Sequence, residues 1–405
     1  MKDLVIIGAG AAGFFAAAEL LRQKPEAKVL MLEKTGKVLG KVKISGGGRC
    51  NVTHNCLDVN ALLQFYPRGN PWLKEVFAQF SVKDTLAWFQ NLGVKIVAEA
   101  DGRMFPQSNE SQTIINALES AATGKNFILS LHNGVKNILP TAQGFEIQLD
   151  GNESIHTKSV LIASGGSPSG SGFSFLKSMD FSIVPPVPSL FTFNVKKHIW
   201  ADLMGLSVNK AKVTLNGTDL EFTGPLLVTH WGFSGPAVLK LSAFAARILH
   251  EKNYRYQFSI DWLPEQTDVL DQITQFQTDN PKRKPDQSQI FAIPKRLWEQ
   301  ICKDSGLSTY FNWAEAGKKK IALAAQLLKK STFEADGKTT YKEEFVTSGG
   351  IDLAEISAKT CESKRFPGLF FAGEVLDVDG VTGGFNFQAA WSTGFVAAKT
   401  VAGRI

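Results

Sequence analysis

The stretch Leu4-Val5-Ile6-Ile7-Gly8-Ala9-Gly10-Ala11-Ala12-Gly13 decides the fold. Its four apolar residues read as a short buried strand, and the glycine turn opens an alanine-rich helix from Ala11 to Arg22. Val29 to Leu32 supplies a second strand, so the chain begins as a βαβ unit whose right-handed crossover makes the strands parallel neighbours. Each glycine has its own task. Gly8 permits the tight turn, Gly10 lets backbone approach a pyrophosphate, and Gly13 allows the helix to pack closely on the strand. The helix N-terminus adds unpaired N–H donors and a positive dipole end, which favour an anion by about 0.3 to 1 kcal/mol. Glu33, twenty positions past Gly13, is spaced to accept hydrogen bonds from ribose hydroxyls. Strand, helix and acid in this order make a dinucleotide fingerprint, which by itself suits FAD and NAD equally.

The remaining glycine clusters favour FAD, held non-covalently. Ser45-Gly46-Gly47-Gly48-Arg49-Cys50-Asn51 follows the ribose acid, where a glycine loop can lie under pyrophosphate and flavin. There Ser45, Gly47 and Gly48 offer backbone, Arg49 a charge for phosphate, and Asn51 a hydrogen bond to flavin or substrate. Cys50 is placed with them, although without a neighbouring base it also reads as a small packing residue. Ser159 to Ala163 reads as a buried strand that delivers a tight turn at Ser164-Gly165-Gly166. Late in the chain Gly368 to Ala372 is a strand ending in Gly373 and Glu374, an acid placed for ribityl hydroxyls. Gly383-Gly384-Phe385-Asn386 then opens a helix to about Val401, aimed at the pyrimidine edge of the isoalloxazine. The expected cofactor-binding set is completed by Lys34, Val135 and Ala163. Candidate catalytic or positioning groups are His230, Arg49, Asn51, Asn386 and Gln388. His230 is the candidate acid or base, with a structural histidine as the alternative.

At 405 residues the chain has room for two or three domains. The composition is that of a folded globular protein, with 44% hydrophobic and 20% charged residues. A net charge of +6 is a mild excess on this length, and the basic runs Lys282-Arg283-Lys284 and Lys318-Lys319-Lys320 read as solvated faces rather than phosphate tracks. Cys50, Cys56, Cys302 and Cys361 lack the spacing of a zinc site or of a secreted disulfide framework, so no metal site is expected and the thiols are read as reduced and cytoplasmic. No apolar run reaches the length of a membrane span or a signal-peptide core.

Helical patterns cover Pro71 to Asn91 and Gln112 to Ala122. Strand-like alternation over Phe127 to Leu131, Gly144 to Leu149 and Ser154 to His156 suggests a small antiparallel layer. Pro185, Pro186 and Pro188 mark a boundary; strands dominate from about Leu190 to Leu263, including Phe191 to Val195, Lys212 to Leu215 and Tyr254 to Ile260, with one helix near Ala237 to His250, and helices follow to about Ser331. The expected fold class is therefore α/β. It comprises a discontinuous Rossmann-like FAD-binding domain, with a parallel sheet and a small antiparallel layer, from residues 1–189 and 332–405. An inserted β-rich domain occupies 190–263 and a helical subdomain 264–331.

The chain resembles the bacterial YhiN-like, aminoacetone oxidase-like family of FAD-binding flavoproteins, also labelled NAD(P)/FAD-dependent oxidoreductases. The signatures are SGGGRCNVT at Ser45 to Thr53, GPLLVTHWGFSGPAVLKLS at Gly224 to Ser242, TSGGI at Thr347 to Ile351, and GLFFAGEVLDVDGVTGGFNFQAAWSTG at Gly368 to Gly394. The resemblance spans essentially the whole chain. It implies FAD, a split FAD domain, and an insert with a β-rich and a helical piece. Three departures, at His54, at Ser164 and in the short loop from Ser167 to Gly172, fall on the substrate side. The expected activity is hydride transfer between FAD and a small organic substrate. With one dinucleotide fingerprint in the chain, NAD(P)H has to dock transiently if it is the donor, and an oxidase passing electrons to oxygen fits equally well. A flavin-dependent RNA modifier or RNA-binding protein and a non-catalytic flavin sensor are the alternatives; the aromatics do not interleave with arginines as stacking platforms do, so a nucleic-acid partner is not expected.

Overall fold

In the computed structural model, strand β1 (Lys2–Ile7) runs parallel to β2 (Val29–Leu32), with helix α1 (Ala11–Gln23) as the crossover. All residues are described except 152, 168–169, 196–199, 308–309 and 340–345, together with the side chains of 171, 177 and 178. Leu4 to Ile7 are buried, as befits a strand covered on both faces. The chain divides into two compact units, Met1–Pro188 with Lys342–Ile405, and Ser189–Tyr341.

In the first unit a glycine-rich segment, α2 (Gly40–Gly48), follows β2. The expected loop at Ser45 to Asn51 is in part helical: α2 is regular at first and departs from helical angles at Ser45, Gly46 and Gly47. Next come β3 (Thr53–His54), α3 (Val59–Leu63), α4 (Asn70–Phe77) and α5 (Val82–Asn91). The pattern over Pro71 to Asn91 is thus two helices. Ser81 starts the second with a capping box, bonding reciprocally with Asp84. Strands β4 (Ile96–Ala98) and β5 (Arg103–Pro106) join β3 in a three-stranded sheet, and α6 (Ser111–Ala121) leads to β6 (Phe127–Ser130).

The main sheet has the order β6, β2, β1, β9, β8, β7, with β7 (Val135–Thr141), β8 (Gly144–Leu149) and β9 (Ser154–Ile162). Two expectations are corrected here. β6 is not part of the antiparallel layer but pairs parallel with β2, Leu30 opposite Ile128. The segments at Ser154 and Ser159 are one strand, whose first half pairs antiparallel with β8 and whose second half pairs parallel with β1. The antiparallel layer is therefore β7, β8 and the start of β9. β10 (Ile183–Ser189) ends this part.

The second unit holds a closed barrel with the order β11, β14, β13, β12, β15, β16. Its strands are β11 (Thr192–Val195), β12 (Ser207–Leu215), β13 (Glu221–Val228), β14 (Gly232–Ser234), β15 (Arg255–Asp261) and β16 (Ser331–Thr339). Between them lie α7 (Pro236–Phe244), α8 (Ala246–Glu251), α9 (Val269–Asp279), α10 (Lys295–Ser305) and α11 (Lys318–Lys329). The helix expected over Ala237 to His250 is split at Ala245. Barrel strands and helices α9 to α11 share one buried cluster that includes Trp200, Trp262, Trp298 and Trp313. The strand that begins at Ser331 pairs with β15 and β11, so the boundary drawn between 331 and 332 cuts the barrel's last strand at its start.

The chain then returns to the first unit. β17 (Val346–Ile351) pairs with β10, β18 (Leu369–Phe371) pairs parallel with β9, and α12 (Phe385–Ala402) packs against α1. That contact is close: a Cβ on Gly394 would stand 2.9 Å from the Ala12 carbonyl oxygen. The α/β class with its parallel sheet, antiparallel layer and inserted β structure is as the sequence leads one to expect.

Candidate functional site

At the C-terminal end of β1, Gly8 has φ +110°, and a Cβ there would lie 2.4 Å from the Ala163 carbonyl oxygen. A side chain is excluded by both backbone angle and space. A Cβ on Gly13 would lie 2.1 Å from the Gly8 carbonyl oxygen, so helix and strand touch through bare backbone. Gly10 is different: a Cβ there meets nothing within 4 Å. Gly10 is the N-cap of α1 without a side-chain cap bond, and Ala11 and Ala12 start a first turn free of acids. The amides thus face open space, the setting in which a helix N-terminus can take up an anion.

Glu33 stands beside this turn. Its carboxylate accepts from the Ala9 N–H at 3.1 Å and from the Thr35 N–H and hydroxyl at 2.9 Å each. Lys34 is exposed, and its Cβ lies 3.8 Å from where a Gly134 Cβ would stand, which puts Val135, at the start of β7, on the same side. The Asn133 N–H donates to the Glu33 carbonyl at 2.9 Å and closes this end.

The second glycine cluster carries a run of positive φ angles at Gly46, Gly47, Gly48 and Cys50. Space is open at Gly47 and Gly48. Ser45 donates its hydroxyl to the Val42 carbonyl at 3.0 Å. Arg49 does not point freely: its guanidinium lies 3.9 Å over the Phe105 ring and donates to Glu99 at 2.6 Å. Asn51 is buried and accepts from the Met104 N–H at 3.3 Å. Cys50 is fully buried, and burial pushes its thiol up to about 12, so it packs rather than reacts.

After β9 the turn Ala163, Ser164, Gly165 begins with the Ala163 N–H bonded to the Ile7 carbonyl at 2.8 Å, and Gly165, at φ +76°, again faces open space. After β18 comes Gly373, whose N–H donates to the Thr393 hydroxyl at 2.9 Å and whose Cβ position is 3.0 Å from the Ala12 Cβ. The first and last glycine turns therefore meet. Glu374 accepts from the Thr347 N–H at 2.9 Å and pairs with Lys41 at 2.5 Å. Gly384, the N-cap of α12, has φ +91° and abuts the Thr53 carbonyl, 2.5 Å from its Cβ position. Phe385 stacks against both Phe65 and His54, with centroids at 4.4 and 4.7 Å, and those two rings lie 5.7 Å from each other.

The turns of residues 8–13, 45–53, 163–166 and 373–386 thus gather at one end of the parallel strands. Two long helices point uncapped, acid-free N-termini there, and Gly10, Gly47, Gly48 and Gly165 leave room. The arrangement fits an anionic dinucleotide such as FAD.

Other expected residues serve within the protein. Asn386 clamps Gly380, giving to its carbonyl at 2.8 Å and accepting from its N–H at 2.9 Å. Gln388 is buried, accepts from Thr53 and Thr85, and donates to Ser392. His230 lies in the second unit, exposed, with its ring 3.8 Å from that of Trp231. Residues that motif reading passed over include Lys41 and Thr347 around Glu374, and Arg68, which pairs with buried Asp379 ahead of α12. The TSGGI signature was the available signal for Thr347. Among the described residues no group of three His, Cys, Asp or Glu can hold a metal ion, and no helix is long and apolar enough to cross a membrane.

Comparison with known proteins adds the following. The family profile described as HI0933-like protein Rossmann domain matches residues 2–400. The chain is 29% identical over 416 residues to the 3-dehydro-bile acid delta(4,6)-reductase of Clostridium scindens, covering 100% of both chains. It is 30% identical over 417 residues to the ribosomal RNA dihydrouridine synthase of Haemophilus influenzae, covering 99% of this chain and 98% of that one. Among solved structures it is similar to the 3-ketosteroid delta1-dehydrogenase of Sterolibacterium denitrificans, with a TM-score of 0.51, 11% identity and 100% of each chain covered; at that identity the likeness speaks for the fold alone.

Proposed function

The chain belongs to the HI0933-like Rossmann family, and from that premise we propose that this FAD-dependent oxidoreductase reduces a carbon–carbon double bond, with NAD(P)H as the electron donor. The observation that carries the cofactor is the meeting of Gly373 with Ala12 between two uncapped helix N-termini. The reaction type is supported by the two relatives, whose names share the saturation of a double bond.

Bound FAD supplies a two-electron relay between donor and substrate. The chain's part is to hold and polarise. The α1 amides and the open backbone at Gly47 and Gly48 would hold the pyrophosphate, and Glu33 would accept from the adenosine ribose. Glu374 would accept from ribityl hydroxyls. The N-terminus of α12 would offer a positive dipole end and favour negative charge on the ring system. In balance, NAD(P)H gives up a hydride, one alkene carbon gains it, the other gains a proton from the medium, and NAD(P)+ leaves.

Anaerobic mixing of FAD-loaded protein with NADH or NADPH tests this. The flavin absorbance should bleach and then recover on addition of a simple conjugated enone such as cyclohexenone. Recovery with oxygen alone would assign an oxidase, and no bleaching with either nucleotide would remove NAD(P)H as donor. A second reading, with a uracil base in RNA as the substrate, is favoured by the Haemophilus relative and by the exposed basic runs Lys282 to Lys284 and Lys318 to Lys320. It requires RNA affinity that falls steeply with salt; affinity absent at low salt would dismiss it.

A further inference from the structure

Thr347 on β17 is 1% exposed, and its hydroxyl is buried with no hydrogen-bond partner. Leaving such a group unpaired destabilises the fold, so it marks a place built to meet something else. Its neighbours identify what that is. The Thr347 N–H holds one oxygen of Glu374 at 2.9 Å, while Lys41 lies 2.5 Å from the other. A Cβ on Gly166 would stand 2.8 Å from the Thr347 hydroxyl oxygen and 2.9 Å from Glu374 Cδ. Hydroxyl and carboxylate therefore border the same bare backbone. That backbone is the turn after β9, and Glu374 is the turn after β18, at the strand ends where open α/β sheets take ligands.

We propose that Thr347 is a ribityl-binding residue, which with Glu374 grips the polyol chain of FAD. A polyol both gives and receives hydrogen bonds; the hydroxyl can do both, and the carboxylate, oriented by the Thr347 amide, receives. The assignment rests on FAD as cofactor and is independent of the substrate. A side chain on Gly166 would collide with both groups, so the turn reaches them only as bare backbone.

The test uses the full chain, stripped of flavin and titrated with FAD and separately with ADP. Thr347→Val keeps the β-branched shape and removes only the hydroxyl. FAD should dissociate about 5- to 10-fold more readily, the scale of one hydrogen bond, while ADP, which has no ribityl chain, should bind as before. The melting temperature of the flavin-free variant should be unchanged or higher, because an orphaned hydroxyl has gone. Ser348→Ala, which removes the neighbouring buried hydroxyl from the opposite face of the strand, should leave FAD affinity within about twofold. Unchanged FAD affinity in Thr347→Val, an equal loss for ADP, or an equal loss in Ser348→Ala would overturn the assignment. Wild-type protein that takes up no FAD would instead sink the cofactor reading beneath it.

Discussion

Two glycines three residues apart make opposite predictions. Gly13→Ala drives a methyl into the Gly8 carbonyl, 2.1 Å away, so α1 must lift from β1, and the variant should lose about 1 to 3 kcal/mol of stability in urea unfolding. At Gly10 nothing stands within 4 Å, so Gly10→Val should keep its melting temperature within a few degrees yet purify without flavin. Full flavin content in that variant would refute the pyrophosphate role. Cys50 gives a further outcome. Its thiol is pushed from near 9 up to about 12 by burial, so iodoacetamide at pH 8 should leave it unlabelled in the folded protein. The sign for stability follows, since the unfolded chain ionises this thiol above about 9 and the folded one does not. Urea midpoints should therefore fall from pH 8 to pH 10, and fall less in Cys50→Ala. At this scale Gly13 was legible, because the strand-to-helix turn folds it onto the Gly8 carbonyl five residues back, whereas the contact that keeps Gly8 bare comes from distant Ala163. Arg49, Asn386 and Gln388 were not: their partners, Glu99, Gly380 and Thr53 with Thr85, come from other segments or from a turn whose path is not written locally.

Among the elements, the approach to α12 depends on a buried ion pair. Asp379 is fully buried and Arg68 10% exposed, and the Tyr66 hydroxyl donates to the Phe385 carbonyl at 2.7 Å from the same segment. Asp379→Ala would strand the guanidinium, and the cost is expected at about 3 to 5 kcal/mol, read as a lower urea midpoint with weakened flavin retention. A wild-type midpoint would show that the pair does not hold the turn. Helix type was readable from periodicity, but ends and pairings less so. The break between α4 and α5 was signalled by Ser81 and Asp84 at capping-box spacing, within a pattern apolar enough to read as continuous. β13 went unmarked because Gly224 and Pro225 interrupt it, and both are usual strand breakers. β6 looked like part of a meander, since alternation does not state which neighbour a strand will choose.

For the whole molecule, the division into a nucleotide-binding unit and an inserted barrel unit implies that FAD acts on one of them. Ligand at about 100 times its dissociation constant adds roughly 2.7 kcal/mol to the state that binds it. Calorimetry with added FAD should show the transition of the first unit moving upward; a thermogram unaltered by FAD would count against the site. The discontinuity itself was legible, because the style of the opening βαβ unit returns at Gly368 to Val401. The barrel's closure was not, since the joining of β11 to β16 brings together residues some 140 positions apart and sequence periodicity ends at each strand.

The packing of α12 on α1, and of β18 on β9, has a consequence for biosynthesis. Ala12 leaves the ribosome early and Gly373 late, and at about 5 to 20 residues per second roughly 20 to 70 s separate them. During that interval the nascent chain exposes the apolar flank of α1 and half a nucleotide cradle while the insert is being made, so α12 acts as a latch that completes the cofactor's seat only after the insert has been synthesised.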